Sequence, residues 1–266
     1  MERRQFLSAS LAASAAALTG TAALAATTAP DKPSEFLLLR RYTMTAGAQL
    51  KATEAFFAQA LLPALGRMGL GPVGAFKVDV GQDIYTYYLL IPAATAQPLA
   101  ELDLTLANDA AFMAAADSFW NARANAAPFQ RIESSLLKAF PGWPRVTPPA
   151  GAATHAKRIL QMRIYESASH GEHARKVEMF HKGEFDLFLN AGFHPVFFGD
   201  ALIGPRIPNL TYMLAFDSMA DLEAKWNVFR NDPGWKKLSG DPRYGYDTIV
   251  NNISNLYLVP LDCSQI

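Results

Sequence analysis

Ile159-Leu160-Gln161-Met162-Arg163-Ile164-Tyr165 has a counterpart 123 residues upstream, Phe36-Leu37-Leu38-Leu39-Arg40-Arg41-Tyr42. The same shift lays Phe57 on Phe180, Gly69 on Gly192, Pro72 on Pro195 and Gly81 on Gly204. A two-residue insertion in the second copy then lets Thr86-Tyr87 fall on Thr211-Tyr212. After it the shift of 123 returns, with Leu99 on Leu222 and Asn108-Asp109 on Asn231-Asp232. A shift sustained over this length marks an internal repeat, and a repeat is sought before any other organisation is read.

Each copy shows the same order of elements. The short apolar runs 36–43 and 159–165 read as strands. Gln49 to Met68 and Glu172 to Ala191 are helix-length, with Val177, Phe180, Leu187 and Phe188 at helical spacing and Gly192 as a stop. Val196 to Leu202 and Thr211 to Phe216 read as two further strands. Helical segments follow around Met219 to Arg230 and Pro233 to Leu238, the second opened by an Asx cap and a proline. Last strands are expected over Ile132 to Phe140 and Ile249 to Val259. Strand, helix, strand, strand, helix, strand is the ferredoxin-like βαββαβ unit, an α+β arrangement whose helices cover one sheet face. The uncovered faces of two such units in one chain can close on each other, which predicts a pseudo-dimeric α/β barrel of eight strands.

Outside the repeats the chain is punctuated. Glu2-Arg3-Arg4-Gln5-Phe6-Leu7, an Ala-rich stretch and Ala23-Leu24-Ala25 resemble a twin-arginine export signal over 1–25. A linker at 26–34 follows, then a first repeat over 35–140 and a Pro/Gly linker over 141–157. The second repeat spans 158–260 and a tail 261–266. The expected location is therefore periplasmic or extracellular, without a stable membrane anchor, because the Ala, Ser and Thr of the signal insert weakly. The 24 basic and 24 acidic side chains balance, so nothing suggests a nucleic-acid partner. A single cysteine, Cys263, excludes internal disulfides and thiolate metal sites, and a passive role is expected for it.

The paired openings Leu39-Arg40-Arg41-Tyr42 and Met162-Arg163-Ile164-Tyr165, the glycine ending each first helix and Phe229-Arg230-Asn231-Asp232-Pro233-Gly234-Trp235 together resemble the NIPSNAP family. The second copy carries the resemblance from about 159 to 258. In the first copy Ala110-Ala111-Phe112 replaces Pro233-Gly234-Trp235 and Ala107 replaces Arg230, so that copy is degenerate. The resemblance implies a dimeric α/β barrel. The wider group includes cofactor-independent monooxygenases, isomerases and some haem proteins, and it supplies no catalytic motif to carry over.

Alternate residues of a strand share a face. Arg40, Tyr42, Arg163 and Tyr165 therefore lie opposite the apolar face of Leu37, Leu39, Leu160, Met162 and Ile164. The helices are expected to take the apolar face, which puts the Arg/Tyr face inside the barrel. There, with Tyr212, it would bind the carboxylate or enolate of a small organic ligand. Arginines paired with carboxylates in a purely structural role are the other reading of these residues.

His170, His173, His181 and Glu184 fall on one helical arc, and His194 follows, but the usual i, i+4 histidine pair is absent. No metal site is predicted. Haem would need one of these histidines as axial ligand and nothing singles one out, so no cofactor is predicted. Trp226, Phe229, Trp235 and Tyr257 read as core. Two functional readings follow: an exported barrel protein that binds, or binds and converts, a small organic ligand, and a non-catalytic assembly module with a filled barrel. Either could form homo-oligomers.

Overall fold

The computed structural model describes residues 33–81 and 84–266; the export signal read over 1–25 and most of the linker after it lie outside these residues. In the first repeat, β1 (Phe36–Thr43) leads to α1 (Ala48–Phe56), a π turn (Phe57–Leu61) and α2 (Leu62–Arg67). The β2–β3 hairpin (Gly74–Val80, Thr86–Ala93) follows. Then come α3 (Gln97–Ala100), α4 (Leu102–Leu106), α5 (Ala110–Trp120) and β4 (Arg131–Ala139). The second repeat echoes this with β5 (Ile159–Glu166), α6 (His170–Met179), a π turn (Phe180–Glu184) and α7 (Phe185–Asn190). It continues with β6 (His194–Ile203), β7 (Asn209–Phe216), α8 (Met219–Asn231), α9 (Pro233–Ser239), α10 (Tyr246–Ile249) and β8 (Asn252–Pro260). Helix starts follow local capping chemistry: Ser169 and Ser218 accept from the backbone N–H three residues on, and Asp109 and Asp232 cap α5 and α9.

The strands close into one barrel in the order β1-β3-β2-β8-β5-β7-β6-β4. Within each repeat the first strand lies between the third and the fourth, as the ferredoxin-like order requires. Antiparallel seams β2–β8 and β4–β6 join the repeats, so no sheet edge is left open.

Strand pairing corrects the alignment of the two copies. Phe36 pairs with Ala93 and Ile159 with Phe216, and Gly74 pairs with Leu90 as Phe197 does with Met213. The shift therefore stays at 123 through β3 and β7, and the two-residue insertion expected before Thr211 does not occur. Tyr212 corresponds to Leu89, not Tyr87. The length change lies before the last strand, where Leu39 faces Ser135 but Met162 faces Leu256. That strand consequently begins at Asn252 rather than near Ile249. The local Thr-Tyr identity is a coincidence of two similar dipeptides, and the ladder registers decide against it.

The second correction concerns the faces. The barrel interior holds Leu37, Leu39, Phe76, Leu90, Leu137, Leu160, Met162, Phe197, Met213 and Leu258, joined by Val146 of the Pro/Gly linker and Ile266 of the tail. The face bearing Arg40, Tyr42, Arg163 and Tyr165 points out of the barrel, toward the helices. Tyr42 packs edge-on against Phe57 with ring centroids 5.0 Å apart. Tyr165 and Tyr212 join a helix-side cluster with Phe180, Phe188 and Phe229. The physical reason is access to water. The middle of a closed barrel is dry on every side and would strand an unpaired guanidinium. A long arginine under a helix layer can instead run its stem along aromatic rings and bring its head to a cleft.

One mouth of the barrel does open, into a cavity of about 760 Å³ reached by Arg41, Tyr88, Glu133, Ser135, Arg206 and Ser254. Its charges are matched: Arg41 pairs with Glu133 at 3.0 Å and Arg206 with Glu166 at 3.1 Å. Among the described residues no helix is long and apolar enough to cross a membrane.

Candidate functional site

Each repeat has a cleft between the outer face of its sheet and its helices. The two clefts start from the same strand positions and end differently. In the first, about 540 Å³, Arg40 donates from both terminal nitrogens to Asp103 of α4, at 2.8 Å each. This bidentate pair neutralises the guanidinium through both terminal nitrogens and leaves Nε buried without an acceptor.

In the second cleft, about 670 Å³, Arg163 occupies the place of Arg40, but the residue at the position of Asp103 is Trp226. No carboxylate lies within ion-pair distance of Arg163 among the described residues. Its guanidinium carbon sits 5.0 Å from the Trp226 ring centroid and 5.2 Å from that of Tyr165, and its Nε is buried without an acceptor. Burial opposes the Arg163 charge, yet the surrounding Tyr212, Tyr165 and Tyr246 outweigh it and raise its pKa above the usual arginine value. The cation is thus fixed, aromatic-flanked and without a counter-ion.

The walls are polar and ordered. The Trp226 indole N–H donates to Gln161 Oε1 at 2.7 Å, the Gln161 amide to Asn255 Oδ1 at 2.8 Å, and Asn255 Nδ2 to the Tyr257 hydroxyl at 3.1 Å. The Tyr165 and Tyr212 hydroxyls share a hydrogen bond of 2.9 Å. Burial pushes the Tyr212 phenol well above its ordinary pKa against the opposing charge of Arg163, and burial likewise raises Tyr246, next to Tyr165. These phenols stay protonated and available as donors.

Beneath them is an ion pair with no counterpart in the first repeat. Lys176 Nζ donates to Glu184 Oε2 at 2.7 Å, and both side chains are almost wholly buried. Thr53 and Leu61 stand at these places in the first copy. Residues eight apart on an α-helix are about 12 Å apart along the axis. Here the π turn and the non-helical Gly183 (φ 148°) break the helix between them. Removing one partner alone would leave a buried charge, at about 3–5 kcal/mol. Glu184 borders the cleft, and its Oε1 has no hydrogen-bond partner among the described residues.

Of the five residues expected to bind ligand, Arg163 and Tyr165 line the second cleft, and Tyr212 lies buried behind them with its hydroxyl bonded to that of Tyr165. Arg40 and Tyr42 lie in the first, where Asp103 neutralises the arginine. Trp226, Phe229, Trp235 and Tyr257 were expected in the core; they lie in or pack against the helix-side cluster and also line the second cleft. Sequence reading passed over Gln161, Lys176, Tyr246 and Asn255, and weighed Glu184 only as a metal ligand. Comparing the copies position by position, Lys176 against Thr53 and Glu184 against Leu61, was the signal that could have found the pair.

The histidines separate. His170 opens α6 rather than preceding it, His173 bonds Asp200 at 2.7 Å, and His181 accepts from the Gly142 N–H at 3.2 Å. His194 is exposed at the start of β6. No group of three or more His, Cys, Asp or Glu side chains among the described residues is placed to hold a metal ion. Cys263 is half-buried, with its thiol pKa pushed up by burial.

Residues 160–265 match the NIPSNAP family. Over that span the second repeat resembles a NIPSNAP domain. No curated protein matches the chain significantly. Among solved structures, the fold is similar to a monooxygenase-like protein of Lactobacillus acidophilus, with a TM-score of 0.56 and 9% identity over 85% of this chain and 94% of that one. A monooxygenase-like protein of Fusobacterium nucleatum gives 0.55 and 9% over 86% and 94%. An anthrone oxidase-like protein gives 0.50 and 10% over 86% and 92%. At such identities the likeness is one of fold. The matched family span contains the cleft with the unpaired arginine, whereas the self-neutralised cleft falls outside it.

Proposed function

We propose that the second repeat binds a small aromatic carboxylate or enolate in the cleft around Arg163, and that the first repeat is its structural partner in the barrel. One observation carries this reading: Arg40 holds a bidentate carboxylate supplied by the chain, while Arg163, at the equivalent position, faces Trp226 and has none. The first repeat thus displays how this site accepts a carboxylate, and the second leaves that place to a ligand. Trp226 would flank a planar group, and the Tyr246 and Tyr165 phenols at the cleft wall would donate to a developing oxyanion. The packed centre of the barrel fits a structural role for the interior, so we place binding in the cleft and not in the barrel. With the export signal read over 1–25, we propose that this binding takes place outside the cytoplasm.

Calorimetric titration and thermal shift with benzoate and phenylpyruvate test the reading, since a ligand bound only by the native state raises the melting temperature. Arg163→Met should weaken binding about 10- to 100-fold, the range for losing a hydrogen bond to a charged group. Trp226→Asp, which supplies the carboxylate from within as the first repeat does, should abolish it, and Arg40→Met should leave it unchanged. Binding that survives both Arg163→Met and Trp226→Asp would overturn the assignment.

A further inference from the structure

The side chains lining the second cleft include no serine, cysteine or histidine. Its two carboxylates differ in setting. Glu223 is exposed on α8, whereas Glu184 lines the cleft at 2% exposure, tethered through Oε2 to Lys176, with no partner to Oε1 among the described residues. A buried carboxylate at the wall of a cleft, beside fixed cations and protonated phenols, is placed to move a proton. Leu61 replaces it in the repeat whose arginine is already neutralised. The base and the free arginine therefore occur together or not at all across the two copies.

Resting on the reading of Arg163 as a carboxylate anchor, we propose that Glu184 is the catalytic base of this cleft and enolises aromatic 2-oxo acids. The substrate carboxylate sits on Arg163 and the aryl group beside Trp226. The bond from hydrogen to the carbon next to the oxo group breaks, and the proton passes to a Glu184 oxygen. The electron pair of that bond becomes the new carbon–carbon double bond, and the carbonyl π pair moves onto oxygen. The resulting enolate oxygen is met by the Tyr246 phenol, which lines the cleft and which burial keeps protonated. Return of the proton from Glu184 to that oxygen gives the enol, so the net change is a tautomerisation with no oxidant, reductant or leaving group. Lys176 is a positioning residue. It fixes one Glu184 oxygen and leaves the other to face the ligand.

The test uses phenylpyruvate as probe and reads two quantities separately: binding by calorimetry, and exchange of its benzylic protons for deuterium by NMR in D2O. The intact protein should bind the probe saturably and speed exchange at least tenfold over buffer. Glu184→Gln should return exchange to the buffer rate with the Kd changed less than about threefold. Because that variant leaves Lys176 without its charge partner, the double variant Lys176→Met with Glu184→Gln, which removes both buried charges, should give the same split. Lys176→Met alone should slow exchange at least tenfold with binding intact, a separation that a general loss of structure would not produce. Binding without accelerated exchange, or exchange undiminished in both Glu184 variants, would overturn the proposal while leaving Arg163 as the anchor. Absence of saturable binding would overturn both.

Discussion

Arg40 and Arg163 start from equivalent strand positions, and a single facing residue decides what each can do. Asp103 turns Arg40 into an ion pair; Trp226 leaves Arg163 charged and unpaired beside a ring. The tyrosines around the arginines carry a second consequence. Tyr42, Tyr212 and Tyr246 all have raised pKa values, with burial the largest cause in each. A phenol that keeps its proton in the native state but ionises near pH 10 when unfolded contributes stability that is full below about pH 10 and is lost as pH rises toward the folded value. The melting temperature should therefore fall between about pH 10 and 11.5, and Tyr212→Phe should make that fall shallower. An unchanged slope in Tyr212→Phe would contradict the assignment.

At the scale of elements, the helix break recurs at the same place in both copies, Phe57–Leu61 and Phe180–Glu184. Only the second carries a residue in the left-handed half of backbone space, Gly183; Ala60 stands at its place in the first. A π turn in a helix is frequently found at a functional site, and here it ends on Glu184. Nothing crowds a Cβ at Gly183, so the backbone and not packing demands glycine. Gly183→Ala should destabilise by about 1–3 kcal/mol and shift Glu184, slowing exchange more than it weakens probe binding. Chemical denaturation and the exchange assay measure the two effects; a neutral result in both would show that the break is not needed.

At the scale of the molecule, the seams β2–β8 and β4–β6 make the repeats inseparable. The tail and the Pro/Gly linker reinforce this, because Ile266 and Val146 are buried in the shared barrel core. Neither repeat keeps a complete core alone, so unfolding should be a single cooperative transition, with calorimetric and van't Hoff enthalpies equal. Phe197→Ala, a truncation at the barrel centre in the second repeat, should lower the whole transition by about 3–5 kcal/mol. Two separate transitions, or loss of one repeat only, would show that the halves fold independently.

The repeat, the order of elements and the barrel were legible in the sequence because periodicity and turn residues act locally and were stated twice in one chain. The polar face bearing Arg163 and Tyr165 was legible for the same reason: a strand's alternation sets polar against apolar without any knowledge of what lies beyond either face. What alternation does not contain is which face meets which partner. Both faces are covered here, one by helices and one by the other sheet, and only closure of the barrel made the aliphatic face the interior. Nor could spacing along the chain bring Trp226 to Arg163 or Lys176 to Glu184, since these meetings depend on how α8 lies across the sheet and on where the helix breaks. The sequence by itself determined two ferredoxin-like repeats bearing an Arg/Tyr face. The tertiary structure decided that this face looks outward and that one of its two arginines is left without a carboxylate, because only packing brings distant side chains within reach of a charge.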